Sequence, residues 1–499
     1  MNNKWLILSL IILMYLPVSI DATVLHVAVP TLSIALNATA SELLWIIDIY
    51  SLVMAGLLLP MGALGDKFGY KILAIIGLII FGIASLCAAL STNTLMLIFA
   101  RALLALGASM ILPATLSGIR NTFLDEKNRS LALGIWSTIG VGGAAIGPLV
   151  GGYLLSHFHW GSVFWINIPI VIITIIAILI IVPKQPQNHQ QPWQISKALI
   201  FIVAILMLVY AIKSALNINN SLIVILSIGL GGVLLLVFFV KKERKSLSPM
   251  IDFSLLKQRV LVIGIIMALT AMISIVGFEL LMAQELQFVH GLTPLQAGLF
   301  MLPAMLASGV GGPLAGWLVS RLGLRIVATF GMGLSAFSFF GLAMCDFINY
   351  PLMAWAMMIL LGLSVGVALL ASTSAIMTSA PADKSASAGA IEGMAYELGA
   401  GFGIVLFGIM LTLIFSHNIT VPVGITGDLV LQAQNSINEA FFVASQLEQS
   451  ELSDQLIASA KQAFVSAHVI VLLMSGLLLS GLAVVIWLFL PAKAVAIHH

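Results

Sequence analysis

Charge is what this chain has least of. Asp, Glu, Lys and Arg make up only 8% of its 499 residues, against about 25% in an ordinary soluble domain. No basic stripe suggests a nucleic-acid partner, and none is expected; the net charge of +2 is uninformative. The two cysteines, Cys87 and Cys345, lie in or beside apolar runs. They read as small core residues, not as a disulfide framework or a metal site. No phosphate-cradling G-x-x-x-x-G-K-[ST] loop is present, so this chain does not hydrolyse ATP through one. Clustered catalytic groups and a sizeable soluble domain are also lacking, which argues against an enzyme or a receptor. No cofactor is expected.

Hydrophobic residues make up 61% of the chain, and the mean hydropathy is +1.15. The apolar runs are about 20 residues or longer, the length of membrane helices; barrel strands would be about 10 residues and alternating. The fold class is therefore an all-α polytopic membrane protein. Fourteen spans are expected, near 5–30, 43–64, 72–91, 95–119, 131–155, 163–183, 196–216, 221–240, 260–284, 295–319, 325–346, 351–378, 386–416 and 464–490. The start, Met1-Asn2-Asn3-Lys4 before an apolar run, resembles a signal peptide. The run is too long for one and contains Asp21, so it reads as an uncleaved first span.

Basic residues set the orientation. With Met1 cytoplasmic, Lys67, Lys71, Arg120, Lys127, Arg129, Lys184, Lys197, Lys241, Lys242, Arg244, Lys245, Lys257, Arg259, Arg321, Arg325, Lys384 and Lys493 all fall inside. Only Lys213 and Lys461 fall outside, and Arg101 lies within a span. Both termini are then cytoplasmic.

The chain also repeats. Gly62–Lys71, after the second span, matches Gly316–Arg325, after the tenth, at a shift of 254 residues. This predicts two related six-helix bundles, 1–185 and 259–499, joined by two inserted spans and a basic linker in 186–258. Parallel repeats with a site between them near the midplane mark secondary transporters. An outer loop, 417–463, carries helical spacing from Leu429 to Ala463 and is expected to lie amphipathically on the outer surface.

Against this background the few charges inside spans stand out. From Trp5 to Leu36 the only formal charge is Asp21. A charge at mid-bilayer costs roughly 2.5–3.5 kcal/mol on insertion scales, so such a residue faces a protein interior or a watery path. Asp48, Glu279, Glu392 and Glu397 repeat the pattern. Glu285 sits near an outer end and reads as rim. Glu392 and Glu397 are about 140° apart around a helix and need not share a face. Arg101, buried, needs an acid, and Asp21 is the natural candidate. His26 is either a proton relay or a satisfied core histidine. The inserted spans carry no buried acid, so no transport chemistry is assigned to them.

Three motifs carry a family resemblance. Gly62-Ala-Leu-Gly-Asp66-Lys67-Phe-Gly69-Tyr-Lys71 resembles the G-x-L-x-D-[KR]-x-G-x-[KR] loop of the major facilitator superfamily. Gly143-Ala-Ala-Ile-Gly147-Pro148-Leu-Val-Gly151-Gly152 resembles the fifth-span motif that marks its antiporters. Asp21-Ala-Thr23 through Pro30, with Trp45-Ile-Ile-Asp48-Ile-Tyr50 and Arg101 through Gly107, resembles the fourteen-helix drug:proton antiporters. The chain as a whole is similar to the QacA- and SmvA-type exporters of quaternary ammonium compounds, and residues 278–287 and 392–399 lean toward the SmvA type. Two departures stand out: Ala105 where many members have glycine, and a tenth span without an acid.

The resemblance implies a major facilitator fold, with Gly62, Asp66, Lys67, Gly69 and Lys71 as a cytoplasmic latch. It implies proton coupling through Asp21, Asp48 and Arg101, and a substrate and proton cavity at Glu279, Glu392 and Glu397. The implied protein is a monomer of the bacterial cytoplasmic (inner) membrane. It exchanges protons for lipophilic cations such as quaternary ammonium compounds, biguanides, ethidium-like dyes and viologens. Export of an endogenous metabolite, lipid or siderophore by the same mechanism is the alternative.

Overall fold

The computed structural model describes residues 3–183, 195–214, 221–246, 249, 253, 255–379, 385–447 and 449–491. Lys184, Lys384, Lys493 and the side chains of Asp66 and Lys127 lie outside the described residues.

The described residues form seventeen α-helices and no strand. The first seven are α1 (Asn3–Leu36), α2 (Ala40–Phe68), α3 (Tyr70–Ala89), α4 (Thr94–Thr122), α5 (Glu126–His157), and the pair α6 (Ser162–Trp165) and α7 (Asn167–Ile181). Then come α8 (Ile195–Ser214) and α9 (Leu222–Arg244). The rest are α10 (Arg259–Gln284), α11 (Pro294–Leu322), α12 (Leu324–Ala343), α13 (Pro351–Ser379), α14 (Ser385–Asn418), α15 (Asp428–Asn435), α16 (Ile437–Gln446) and α17 (Ser450–Phe489). Among the described residues, thirteen spans pass for membrane-crossing by length and apolar composition, with α6 and α7 forming one of them. The glycine-rich α5, 32 residues long, completes the fourteen long segments. The chain is a multi-pass membrane protein.

The repeat in the sequence is a repeat in geometry. Gly69 closes α2 at φ 85° and Gly323 closes α11 at φ 84°, a backbone conformation in which a side chain is strained. Thr39 and Glu42 form a capping box at the start of α2, and Thr293 and Gln296 form one at the start of α11. Asn37 and Gly291, just before these caps, also have positive φ. Each of these pairs is related by the same 254-residue shift.

Packing follows the repeat as well. Helix α1 lies on α5, α2 on α4, and α3 on α4 and α7; in parallel, α10 lies on α14, α11 on α13, and α12 on α13 and α17. The two sets meet reciprocally, α2 against α14 and α11 against α5. The inserted pair α8 and α9 pack on each other, and α8 packs on α2.

The outer-loop expectation needs correction. Two short helices, α15 and α16, do form, but from Ser450 onward the chain is already the last long helix. At about 1.5 Å per residue this 40-residue α17 extends well beyond a hydrocarbon core of about 30 Å. Its first turns therefore stand as a continuation of the span instead of lying flat.

Candidate functional site

The intramembrane charges are buried in pairs, some within one helix set and one between the two. Asp21 on α1 and Arg101 on α4 form a fully buried ion pair. The guanidinium also donates from Nε to the Ile46 carbonyl at 3.2 Å and lies 4.5 Å from the centre of the Tyr50 ring. Both of these belong to α2. One carboxylate oxygen of Asp21 holds the arginine, and the other, Oδ1, is buried without a hydrogen-bond partner. An ionised carboxylate can accept at both oxygens, so Asp21 has room for a proton.

Asp48, on α2, is paired with a residue the sequence reading placed in the outer water. Lys213 Nζ on α8 lies 2.6 Å from Asp48 Oδ2, with both side chains buried. The ammonium rests 4.0 Å from the centre of the Trp45 ring. The missed signal was position: three residues inside the expected end of its span, a lysine reads as solvated, and only the packing of α8 on α2 shows otherwise.

Of the remaining acids, Glu279 and Glu397 face the other helix set and Glu392 its own. Glu279 on α10 faces His26 on α1, with Oε2 and Nδ1 3.1 Å apart. The separation is that of an ion pair, while the alignment is not that of a hydrogen bond. Glu392 and Glu397, both on α14, point to different neighbours. Glu392 accepts from Tyr396 Oη at 2.6 Å and from Thr373 Oγ1 of α13, inside its own set. Glu397 lies beside Ser51 of α2, in the other set, where α14 packs on α2.

Glu285 is not a rim residue. It opens a π-helical turn, Glu285–Val289, and is buried between His468 of α17 and His290, whose Nε2 lies 3.4 Å from its Oε1. The π turn and α17 cover a carboxylate that a regular helix end would expose.

The glycine motif explains how α1 and α5 come so close. A Cβ on Gly143 would lie 2.6 Å from Ser19 Cβ, and one on Gly151 2.6 Å from Val24 Cγ2. At Gly147 it would lie 2.2 Å from Thr23 Oγ1 and 2.9 Å from the Ile20 carbonyl. Thr23 Oγ1 donates to the Ala144 carbonyl at 2.7 Å, fixing the same contact. Gly152 and Pro148 face the other set: a Cβ on Gly152 would lie 2.5 Å from Leu295 Cα, and Gly298 comes against the Pro148 carbonyl. The motif thus packs α5 on the helix that bears Asp21 and on the opposite set at once. A valine at Gly147 should overpack this contact at a cost of about 1–3 kcal/mol. We expect Gly147→Val to lower both the thermal midpoint in detergent and the export rate. Gly142→Ala, where the added Cβ would meet open space, should change neither.

In the loop motif, Gly62 approaches only Pro113. Lys67 Nζ lies 5.6 Å from the Phe68 ring centre. Lys71 Nζ donates to the carbonyls of Leu179, at 3.2 Å, and Val182. It therefore caps the C-terminal end of α7, where exposed carbonyls favour a cation.

At the face where α1 ends, polar contacts also join the sets. Gln287 Nε2 donates to the Val27 carbonyl at 3.0 Å, and Asn438 Nδ2 on α16 to the Ala38 carbonyl at 3.3 Å. The backbone N–H of Ala40 donates to Glu439 Oε1 at 3.1 Å. Burial holds the Glu439 carboxyl above the usual carboxylate range, partly offset by its bonds from Asn435 and Ala40. These loop contacts left no periodic trace in the sequence.

Two pseudo-symmetric helix sets that pack on each other and enclose buried charged pairs have the architecture of a transporter built from parallel repeats. A sequence model of the Major Facilitator Superfamily matches residues 11–404, and the chain belongs to that family. It is a transporter and not an enzyme. The chain is 55% identical over 494 residues to the methyl viologen resistance protein SmvA of Salmonella typhimurium, covering 99% of each. It is 34% identical over 463 residues to the multidrug efflux pump LfrA of Mycolicibacterium smegmatis, covering 93% of this chain and 92% of that one. In fold it is similar to a bacterial homologue of the lysosomal transporter Spinster, with a TM-score of 0.68 at 16% identity, covering 99% and 98% of the two chains.

Proposed function

We propose that this protein is a proton-coupled antiporter that exports lipophilic cations from the cytoplasm by alternating access, with its termini on the cytoplasmic side of a bacterial inner membrane. The observation that carries the reading is the set of buried carboxylates. Asp21 holds a cation through one oxygen and leaves the other free, while Glu279 and Glu397 reach the opposite helix set. Such groups can hold either a proton or an organic cation, and that exclusivity is what exchange needs. The similarity to SmvA supports viologens and related cations as substrates.

In this reading a cation enters from the cytoplasm or the inner leaflet and settles among apolar walls beside Glu279. Outward opening breaks the hydrogen bonds that Gln287, Asn438 and Glu439 make to α1 and α2. The cation leaves, protons reach the acids, and the protonated protein returns inward. Lys71 and its neighbours act as the cytoplasmic latch of that motion. Export of an endogenous metabolite, lipid or siderophore by the same cycle is the second reading.

The test is substrate charge. In proteoliposomes, Glu279→Gln should raise the KM for methyl viologen about tenfold, the equivalent of about 1.4 kcal/mol, and leave a neutral drug unaffected. If cations and neutral compounds are both carried and the substitution changes neither, no cation site lies at Glu279.

A further inference from the structure

We propose that Lys213 is the resident counter-ion of Asp48, and that the inserted helix α8 is thereby a working part of proton coupling. This rests on the antiport reading and extends it to a helix outside the two repeated sets.

The geometry is that of a built contact. The Lys213 and Asp48 side chains are 3% and 0% exposed, with Nζ and Oδ2 2.6 Å apart. Trp45, three residues before Asp48, lies under the ammonium, and its ring is 6.4 Å from that of Tyr210, three residues before Lys213. Further along, Gly56 admits Ile202 of α8 so closely that a Cβ there would fall 2.1 Å from Ile202 Cγ1. Burying an ammonium and a carboxylate costs several kcal/mol each, and well-packed apolar residues often serve stability as well or better. A helix that only spaced two bundles would gain little from this pair.

The stretch of α2 from Trp45 to Ser51 also touches two other charge centres, Arg101 and Glu397. Ile46 accepts from Arg101, Tyr50 lies under the Arg101 guanidinium, and Ser51 lies beside Glu397. The charged group that faces Asp48 from a neighbouring helix is Lys213, and Asp48 Oδ1 has no hydrogen-bond partner. A proton arriving from the outer water binds the Asp48 carboxylate. The ammonium then loses its partner, and α8 loses its electrostatic tether to the turn that holds Arg101 and Glu397. Release of that proton to the cytoplasm restores the tether. Lys213 acts through Asp48, as a positioning residue.

The experiment is the pH profile of methyl viologen transport in proteoliposomes. A buried carboxylate stripped of its cation keeps its proton to higher pH. Lys213→Met should therefore move the midpoint of the profile upward by about one pH unit or more, with kcat reduced and KM near wild type. Lys213→Arg should restore the wild-type midpoint. An unchanged midpoint in Lys213→Met, at any rate of transport, overturns the inference. Should that variant not fold, the neutral pair Asp48→Asn with Lys213→Met leaves no buried charge unpaired. It should transport without the Asp48 step in its profile, and a wild-type profile in that pair overturns the inference too. If wild-type protein itself shows no export driven by a pH gradient, the antiport reading fails. If wild type passes and Lys213→Met matches it, only the role of α8 fails.

Discussion

Asp21→Asn is expected to abolish export driven by a pH gradient, while the protein still reaches the membrane and still binds methyl viologen. Asparagine keeps the shape of the side chain and can accept from Arg101, but it has no proton to exchange. Asp21 is a fully buried carboxylate that touches a guanidinium and retains an unpartnered oxygen. Removing the exchangeable proton there should uncouple drug from gradient. Counterflow, in which labelled drug exchanges for unlabelled drug with no net proton movement, should survive. Vesicles made with the variant would show both effects side by side, and retained gradient-driven export would remove Asp21 from the coupling path.

The second large effect is expected at Arg101. Arg101→Met deletes the cation from a site where Asp21, Tyr50 and Ile46 converge on it. Removing one partner of a buried pair costs about 3–5 kcal/mol. The two halves of this pair differ in what they can do next. Asp21 left alone can take a proton and become neutral, whereas Arg101 left alone by Asp21→Asn stays charged at any relevant pH. The signs follow. In Arg101→Met the carboxyl is held protonated in the fold more strongly than in the unfolded chain. The stability deficit is then absent below the unfolded carboxyl range and grows as pH rises through the folded one. Thermal midpoints in detergent between pH 5 and 8 should fall with rising pH in Arg101→Met and stay level in Asp21→Asn, relative to wild type. Parallel curves for the two variants would contradict the pairing.

What the sequence made legible, and what it hid, divides along physical lines. Asp21 could be found because one charge in a long apolar run has no solvent to explain it, and Arg101 because a buried guanidinium needs an acid. The glycines of α5 were legible as a smooth face, though not the residues they meet, Ser19, Thr23 and Val24 on one side and Leu295 on the other. Lys213 and Glu285 were misread for a shared reason. Near the end of a span, charge normally meets water, and only a neighbouring helix shows that it does not. The contacts of Asn438 and Glu439 with the α1–α2 turn had no signature at all, because docking of a loop has no period. The capping boxes at Thr39 and Thr293 were present in the letters and repeat at the same shift as the loop motif. They strengthen the internal repeat beyond the glycines and basic residues that first revealed it.

The central claim is exchange of protons for cations, and proton movement measures it directly. Proteoliposomes holding the wild-type protein and a lumenal pH dye should report a proton flux when methyl viologen is added. The flux should run opposite to the drug and be absent with Asp21→Asn. Methyl viologen transport without any proton flux, or an equal flux in both proteins, would contradict the account.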